Sequence, residues 1–301
     1  MKYFKGKKIL VTGGTGSLGA EIVREIIKYD PEVIRILSRD ETKQFELSQE
    51  FRTYKNLRFL IGDIRDKDRV KHAVKDIDII FHTAALKHVY ACEYNPFEAM
   101  KTNIIGTGHI IEAAVEEGVS SVIFTSTDKA TNPCNTMGVS KLFAERLITS
   151  SHYYYGAAKT RMWTVRFGNI IGSRGSFIPL LKQQIKNGGP VTVTDPNMTR
   201  FFMSKKESLD LLFESQKIAI GGEVFILKMP VICIKDLVEV VIEELAPRYG
   251  YDPSSILIEN IGIKPGEKMY EELITAEEME RALELDKMYV LTPQINDLKL
   301  K

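Results

Sequence analysis

The chain of 301 residues has few cysteines, no excess of either charge and no long apolar run. Its three cysteines, Cys92, Cys134 and Cys233, form no Cys-x-x-Cys pair, which argues against a disulfide framework or a zinc site. We expect them to be packing residues in a reducing compartment. The net charge is only +1, which gives no global electrostatic reason to expect nucleic acid or a charged membrane as a partner.

The longest apolar stretches, such as 77–81 and 238–242, fall far short of the roughly 20 residues that a membrane span needs. Residues 1–10 are basic but run directly into glycines, unlike a signal peptide. We therefore predict a cytoplasmic protein. With 44% hydrophobic and 27% charged residues, the composition is typical of a globular chain and excludes disorder and fibrous repeats.

Short β-branched runs alternate with helical patterns in the first part of the chain. This alternation predicts an α/β fold with a Rossmann-type, doubly wound parallel sheet, which we assign to residues 1–168. The remaining residues, 169–301, are predicted to form a smaller C-terminal α/β lobe for substrate with return segments to the first domain. Its charged end is expected to begin as a helix at Leu273. The predicted strands are 8–11, 33–37, 57–61, 77–81, 121–125 and 164–167.

A turn with three glycines, spaced three apart, joins the first predicted strand to the first predicted helix. Glycine lets the backbone approach a pyrophosphate closely, while the helix amides and the positive end of the helix dipole face its charge. A merely tight turn does not need three glycines, so we predict a dinucleotide site. Its residues are Gly13, Thr15, Gly16, Ser17, Leu18 and Gly19.

The end of the second predicted strand favours NADP over NAD as the cofactor. An NAD-binding unit usually has a carboxylate there, which binds the ribose 2′-hydroxyl. This strand ends instead in Ser38 and Arg39, with Lys43 one helical turn on. A hydroxyl and two cations suit a 2′-phosphate, although the adjacent Asp40 leaves an unphosphorylated ribose open.

Two further strand ends are candidate cofactor contacts. Asp63, followed by Ile64, is placed to cap an adenine edge, with a solvated turn aspartate as the alternative. The small residues Ala84 and Ala85 follow the fourth strand, where a nicotinamide ribose would pass close to the backbone. The neighbouring His82 either belongs to this site or is a satisfied buried histidine.

Asp128 and Lys129 follow the fifth strand, at the sheet edge where α/β enzymes bind substrates. An adjacent acid and amine there form a candidate proton-transfer pair. The alternative is a solvated surface pair.

A set of motifs extends from about residue 7 to residue 272. They comprise the glycine turn and segments 38–41, 84–89, 93–98, 101–103, 126–130, 132–135, 166–169, 173–176, 198–201 and 265–268. Together they resemble the extended short-chain dehydrogenase/reductases, and within them the UDP-N-acetylglucosamine 4,6-dehydratases of surface-polysaccharide biosynthesis. The resemblance implies an NADP-dependent hydro-lyase that acts on UDP-N-acetylglucosamine or a related UDP-hexose, without a metal, as a homo-oligomer.

One position departs from the wider superfamily, which uses Tyr-x-x-x-Lys. Met137 replaces the tyrosine, four residues before Lys141. A thioether has no proton to exchange, so Met137 cannot be the usual acid or base, whereas Lys141 can still bond the nicotinamide ribose. The replacement resembles the capsule-biosynthesis branch, whose members combine 4,6-dehydration with inversion at C5.

The resemblance implies hydride transfer from C4 to NADP+, removal of the C5 proton, loss of O6 as water and hydride return to C6. We assign catalysis to Asp128, Lys129 and Lys141. Lys129 is the C5 base, its pKa lowered by burial beside Lys141 and the cofactor's positive ring, and Asp128 is the acid for O6, with Lys129 or a water serving O4. The implied substrate residues are Lys87 and His88 at the hexose, Asn169, Arg174, Ser176 and Arg200 at the sugar and diphosphate, and Glu267 at the uridine ribose.

Two alternative functions stay open. A UDP-sugar 4-epimerase shares the C4 ketone but needs no base at C5, so Asp128 and Lys129 favour dehydration. A catalytically silent NADP-binding protein is permitted by the loss of the tyrosine, and the retained Lys141 argues against it.

Overall fold

The computed structural model describes residues 3–156 and 159–294 of the chain. The strands are β1 Lys8–Thr12, β2 Val33–Ser38, β3 Leu57–Ile61, β4 Ile79–His82, β5 Ser121–Thr127, β6 Arg161–Phe167, β7 Asn169–Ile170, β8 Val191–Val193, β9 Thr199–Met203, β10 Val224–Leu227, β11 Val231–Cys233, β12 Ile258–Asn260, β13 Ala282–Glu284 and β14 Met288–Leu291. The α-helices are α1 Ser17–Ile26, α2 Glu41–Glu50, α3 Lys67–Val74, α4 Val89–Tyr94, α5 Pro96–Ala99, α6 Gly106–Glu116, α7 Thr136–Tyr154, α8 Phe177–Lys186, α9 Lys205–Ile218, α10 Ile234–Leu245 and α11 Ala276–Met279.

A large sheet has the strand order β13-β14-β10-β6-β5-β4-β1-β2-β3. Strands β1 to β6 and β10 are parallel, and β14 and β13 add an antiparallel edge. The winding reverses between β1 and β4, which is the switch point where open α/β sheets bind ligands at the carboxyl ends of their strands. The predicted Rossmann-type α/β fold is confirmed.

Successive residues of each inner strand pack on opposite faces of the sheet because side chains alternate along a strand. In β1, Ile9 and Val11 belong to the core on one face and Leu10 to the core on the other. In β4, Ile79 and Ile80 divide in the same way. Both faces are therefore apolar, which explains why these strands read as unbroken hydrophobic runs.

Residues after the predicted boundary at 168 contribute to two parts of the fold. One part is a second lobe with the small sheets β11-β9-β7 and β12-β8, covered by α8 and α10. The other part comprises β10, β14 and β13, which pair in the large sheet. The second lobe is thus built from two stretches of chain, one between β6 and β10 and one between β10 and β13.

The charged segment from Leu273 onward contains less helix than expected. A single short helix, α11, is followed by the hairpin of β13 and β14, while residues 295–301 lie outside the described residues. Thr275 and Glu278 cap α11 reciprocally. Pairing with the open edge of β10 then overrides the helical pattern, because the edge offers unpaired backbone groups.

The three cysteines have different environments. Cys92 is buried and Cys233 half-buried, but Cys134 is exposed. The prediction of a packing residue is therefore wrong for Cys134. No disulfide links them. Within 3–156 and 159–294, no helix is long and apolar enough to cross a bilayer. The same residues hold no group of three or more His, Cys, Asp or Glu side chains arranged for a metal ion.

A buried ionic cluster joins the returning C-terminal segment to the large sheet. Arg166 on β6 is fully buried, and its Nη2 lies 2.6 Å from Glu145 Oε1 on α7 and 3.0 Å from Glu278 Oε1 on α11. Its Nη1 also donates to the carbonyl of Leu273 at 2.7 Å. The cluster therefore holds 273–278 against β6 and α7.

We expect Arg166→Met to lower the free energy of unfolding by about 3 to about 5 kcal/mol, because Glu145 and Glu278 would stay buried without a cation. Urea denaturation measures the change. Arg248→Met is the control, since Arg248 forms an exposed pair with Glu244, whose loss should change stability little. A loss of less than about 1 kcal/mol at Arg166 would contradict this role.

Candidate active site

The glycine turn is packed so tightly that side chains would not fit. Gly13 has a φ of +65°, and a Cβ there would lie 2.8 Å from the Cα and N of Ala84. A Cβ on Gly19 would lie 2.5 Å from the carbonyl oxygen of Gly13. Helix α1 then begins with Gly16 as its N-cap, without a side-chain cap or an acid in its first turn. Its N-terminal amides are thus left to an external anion.

Polar groups surround the end of β2. Thr15 Oγ1 and Ser38 Oγ are hydrogen-bonded at 2.6 Å. Asp40 caps α2 by accepting from Lys43 N at 2.9 Å, and the side-chain bond from Lys43 lowers the pKa of this carboxyl. Arg39 is half-exposed. Asp40 therefore already has a partner, whereas the Ser38 hydroxyl contacts the glycine turn through Thr15 and Arg39 Nη1 lies 3.5 Å from Asp63 Oδ2.

Asp63 after β3 is held in a fixed orientation. Its Oδ1 and Oδ2 accept from the Arg65 backbone N and Nε, each at 2.9 Å, and its Oδ2 lies 3.5 Å from Arg39 Nη1. Partial burial opposes ionisation, but the bonds from Arg65 lower the pKa of this carboxyl. The side chain of Ile64 is buried and packs against Gly106, so only its backbone is available to a ligand.

His82 is a satisfied buried histidine. Its Nδ1 is 2.7 Å from Thr12 Oγ1 and its Nε2 is 3.0 Å from Thr107 Oγ1, which donates to the carbonyl of Asn103. Burial lowers the pKa of His82 to about 3, so the ring is neutral. Because Thr12 Oγ1 also accepts from Ala84 N, the histidine helps to fix the backbone beside the glycine turn.

Asn103 fixes the next part of this segment. It lies in a π-helical turn, Met100–Ile105, a geometry that is frequent at functional sites. Its Oδ1 accepts from Leu86 N at 2.8 Å, and its Nδ2 donates to Leu86 O and to Ser140 Oγ. It therefore connects the segment after β4 to α7.

Met137 is a packing residue. It is 3% exposed and belongs to a small apolar cluster with Cys92 and Ala99, against which Leu86 and Val89 pack. The position where the wider superfamily has its tyrosine is thus apolar here and has no proton to offer.

Asp128 and Lys129 are paired at the end of β5, with Asp128 buried and Lys129 half-buried, so they are not a solvated surface pair. Asp128 is 0% exposed, and its Oδ1 accepts from Thr127 Oγ1 at 2.9 Å and from Lys129 Nζ at 3.0 Å. Its Oδ2 is buried without a hydrogen-bond partner in the described part of the chain. Since buried acceptors are almost always bonded, this oxygen is available for a ligand proton.

Glu271 completes this cluster, and the sequence analysis missed it. Its Oε1 lies 3.7 Å from Lys129 Nζ, and its Oε2 is buried without a hydrogen bond among the described residues. Burial raises the pKa of this carboxyl, and Asp128 adds to the effect. The nearby motif 265–268 was the only sequence signal, because the contact joins distant parts of the chain.

Lys141 is buried on α7. Its Nζ donates to the carbonyl of Thr125 at 2.5 Å and lies 4.0 Å from the Phe124 ring centroid. Burial lowers the pKa of Lys141 to about 7, against the opposing charge of Glu145. The ion pairs of Lys129, by contrast, are with carboxylates.

The second lobe brings four of the predicted substrate residues to one pocket. Asn169, Ser176, Arg200 and Glu267 all line it, together with apolar side chains of β7, β9, α8 and the start of α10. The Arg200 guanidinium is held by the carbonyls of Thr199 and Met269, at 2.8 and 3.2 Å. The pocket thus combines a fixed cation, a carboxylate and an apolar wall.

The other three predicted substrate residues are elsewhere. Arg174 places its guanidinium on the carbonyl of Thr15, at the glycine turn. Lys87 Nζ donates to the Arg174 carbonyl at 2.7 Å, and the His88 ring lies so close that a Cβ on Gly175 would be 2.9 Å from it. Together they tie the loop around residue 174 to the predicted cofactor site.

Comparison with known proteins identifies the family. A family model described as "Polysaccharide biosynthesis protein" matches residues 9–293. The chain belongs to this family. The match covers both the large sheet and the second lobe.

Individual relatives agree with this membership. The "Uncharacterized membrane protein MJ1061" of Methanocaldococcus jannaschii is 57% identical over 291 residues, covering 97% of this chain and 87% of the relative. A UDP-N-acetylglucosamine 4,6-dehydratase (inverting) of Campylobacter jejuni is 40% identical over 294 residues, covering 97% and 84%. The X-ray structure of Pen from Bacillus thuringiensis superposes with a TM-score of 0.95 at 51% identity, covering 98% and 90%. The resemblance inferred from the motifs is confirmed.

The low pKa of Lys141 predicts a pH dependence of stability. The unfolded chain binds this proton up to about pH 10.4, whereas the folded chain releases it above about pH 7. The free energy of unfolding should therefore rise with pH across that window, by up to about 1.4 kcal/mol per unit. Lys141→Met should lose this rise in denaturation series, and Lys182→Met, at an exposed lysine, should keep it. Identical pH curves for wild type and Lys141→Met would exclude a neutral buried amine.

Proposed function

We propose that the protein is an NADP-dependent UDP-N-acetylglucosamine 4,6-dehydratase of the cytoplasm. It would release water and give a UDP-2-acetamido-2,6-dideoxy-4-keto-hexose, with inversion at C5, for a surface polysaccharide or glycan. The observation that carries this proposal is the pair of Asp128 and Lys129 with an unpartnered Asp128 Oδ2. A proton acceptor at C5 and a donor at O6 are needed for dehydration, whereas an epimerase needs no C5 base.

The region around the glycine turn fits a dinucleotide. Gly13 and Gly19 leave no room for a side chain, and the uncapped N-terminus of α1 suits a pyrophosphate. Ser38 and Arg39 would hold the 2′-phosphate, because Asp40 is bonded to Lys43 and does not compete for a ribose hydroxyl. When bound, NADP+ supplies a reversible hydride acceptor for the sugar.

The remaining residues of this site extend along the cofactor. Asp63 would accept from the adenine edge beside the Ile64 backbone. Ala84 and Ala85 would border the nicotinamide ribose, and Lys141 would bond its hydroxyls. The Arg174 loop would cover the pyrophosphate from the other side, since it is fixed to the Thr15 carbonyl.

The number of protons gained and lost at each sugar atom assigns different roles to Asp128 and Lys129. O4 loses one proton and the departing O6 gains one, so the free oxygen of Asp128 can carry the same proton from O4 to O6. This makes a tyrosine at position 137 unnecessary. Lys129 removes the C5 proton, and protonation of C5 on the opposite face inverts that centre.

The pocket of the second lobe would hold the rest of the substrate. Arg200, with its guanidinium fixed by two carbonyls, would bind the diphosphate, and Glu267 the uridine ribose. Asn169 and Ser176 line the same pocket and would contact the sugar side. Lys87 and His88, which contact the loop around residue 174, would lie beside the hexose.

A second candidate is a UDP-sugar 4-epimerase. It is favoured by a UDP-glucose 4-epimerase of Rickettsia bellii that is 39% identical over 299 residues, covering 98% of this chain and 85% of the relative. Both reactions pass through a C4 ketone. Only dehydration removes the C5 proton together with O6, as one water. Its product is therefore lighter than the substrate by one water, whereas an epimer has the same mass as the substrate.

The test is mass spectrometry and proton NMR of UDP-N-acetylglucosamine after incubation with the purified protein. We expect loss of one water and a 6-methyl signal, abolished in Lys129→Ala and retained in Lys55→Ala, a variant of an exposed lysine. An unchanged mass with a new C4 epimer would establish the epimerase instead. An unchanged substrate would refute the UDP-N-acetylglucosamine dehydratase, and would leave another UDP-hexose as substrate or the silent NADP-binding protein.

The cofactor choice predicts a selective effect of Arg39→Ala. Loss of a charged hydrogen bond to the 2′-phosphate should weaken NADP+ binding about tenfold to about a hundredfold, with NAD+ binding unchanged. Titration calorimetry with both nucleotides measures this, with Arg52→Ala at the exposed end of α2 as the control. Equal losses for both nucleotides would contradict a 2′-phosphate contact at Arg39.

A further inference from the structure

We propose that Glu271 is the positioning residue for the proton on Lys129: it accepts that proton, so that Lys129 meets the sugar as a neutral amine. This inference rests on the proposed dehydratase function and deepens it. It answers the question that the ion pairs of Lys129 raise, namely how an amine beside a carboxylate can act as a base.

Glu271 is the second carboxylate within ion-pair distance of Lys129, and a small side-chain movement would bring the two groups into hydrogen-bond contact. Lys129 Nζ lies 3.0 Å from Asp128 Oδ1 and 3.7 Å from Glu271 Oε1. The Lys129 side chain is 19% exposed and that of Glu271 4%, so the carboxyl is the more enclosed of the two. Glu271 Oε2 forms no hydrogen bond in the described part of the chain, so its carboxylate form is poorly stabilised.

The surroundings of Glu271 favour its protonated form. Burial raises the pKa of Glu271, and the negative charge of Asp128 raises it further. The cations that oppose this are Lys129 itself, Arg200 on β9 and Lys268 on the same segment. Lys268 is already engaged by the Thr131 carbonyl at 3.0 Å and lies 3.7 Å from Glu271 Oε2. Asp128, in contrast, accepts two hydrogen bonds at Oδ1.

The proton steps balance. An N–H bond of the Lys129 ammonium breaks and an O–H bond of Glu271 forms, giving a neutral amine beside a neutral acid. The amine then takes the C5 proton, leaving the electron pair in the enolate, and becomes an ammonium again. C5 takes a solvent proton on its other face, and the partly exposed Lys129 releases its proton to solvent, which restores the starting pair.

The test is the pH dependence of dehydration in Glu271→Gln. In the wild type, Lys129 and Glu271 share one proton over a range of pH. Within that range the pair neither gains nor loses a proton, so the fraction of neutral Lys129 does not change with pH. Glutamine is of equal size but cannot accept a proton, so Lys129 must lose it to solvent. We expect a rate about a hundredfold lower near neutral pH that rises about tenfold per pH unit toward the wild-type value.

Three controls keep the result specific. Glu277→Gln, at an exposed glutamate of α11, should keep the flat profile. Glu271→Asp retains a carboxyl and should restore a flat profile at a reduced rate. Thermal unfolding and NADP+ binding of each variant show whether the chain folds. If Glu271→Gln does not fold, the pH profile of Glu271→Asp is the test.

Each outcome has one meaning. A wild-type profile in Glu271→Gln would overturn the inference while leaving the dehydratase function intact. A faster reaction at low pH would also overturn it, because Glu271 would then only hold Lys129 as an ammonium ion. A wild type that releases no water would refute the proposed function, and this inference with it.

Discussion

The structure depends on the burial of two ionic clusters beneath one returning segment of chain. Residues 271–278 leave the second lobe and cross the carboxyl ends of β5 and β6. Glu271 meets Lys129 there, and Glu278 meets the fully buried Arg166. Uncompensated charges in such positions cost several kcal/mol, so the second cluster fixes where the segment lies and hence where Glu271 can be. The segment that stabilises the fold through Glu278 is therefore the same one that carries the proposed proton acceptor, Glu271.

Met137 shows how the site differs from one built around a tyrosine. Its side chain fills a small apolar cluster with Cys92 and Ala99, so this part of α7 contributes packing. In the proposed mechanism, proton transfer falls instead to groups on the turn after β5 and on the returning segment. Asp128 and Glu271 each have one buried oxygen without a hydrogen bond in the described residues, and both lie near Lys129.

Much of this could be predicted from the sequence because the signals are local. The β-branched runs place β1 to β6, and the glycine turn and the Asp128–Lys129 pair stand at their carboxyl ends. Glu271 could not be found in this way, since its meaning comes from a contact across the fold. The hairpin of β13 and β14 was missed for a similar reason: an open strand edge outweighs a helical pattern that is read from neighbours alone. Arg174 lies at the glycine turn because its loop folds back, which no spacing reveals.

In the proposed mechanism, Lys129 faces C5 of the sugar and Asp128 faces O6. A crystal structure with NADP+ and UDP-N-acetylglucosamine tests this placement most directly. We expect the C5 hydrogen directed at Lys129 Nζ and O6 within hydrogen-bond reach of Asp128 Oδ2, with the diphosphate on Arg200. A sugar ring bound away from Asp128 and Lys129, with both side chains still paired only to protein, would contradict it.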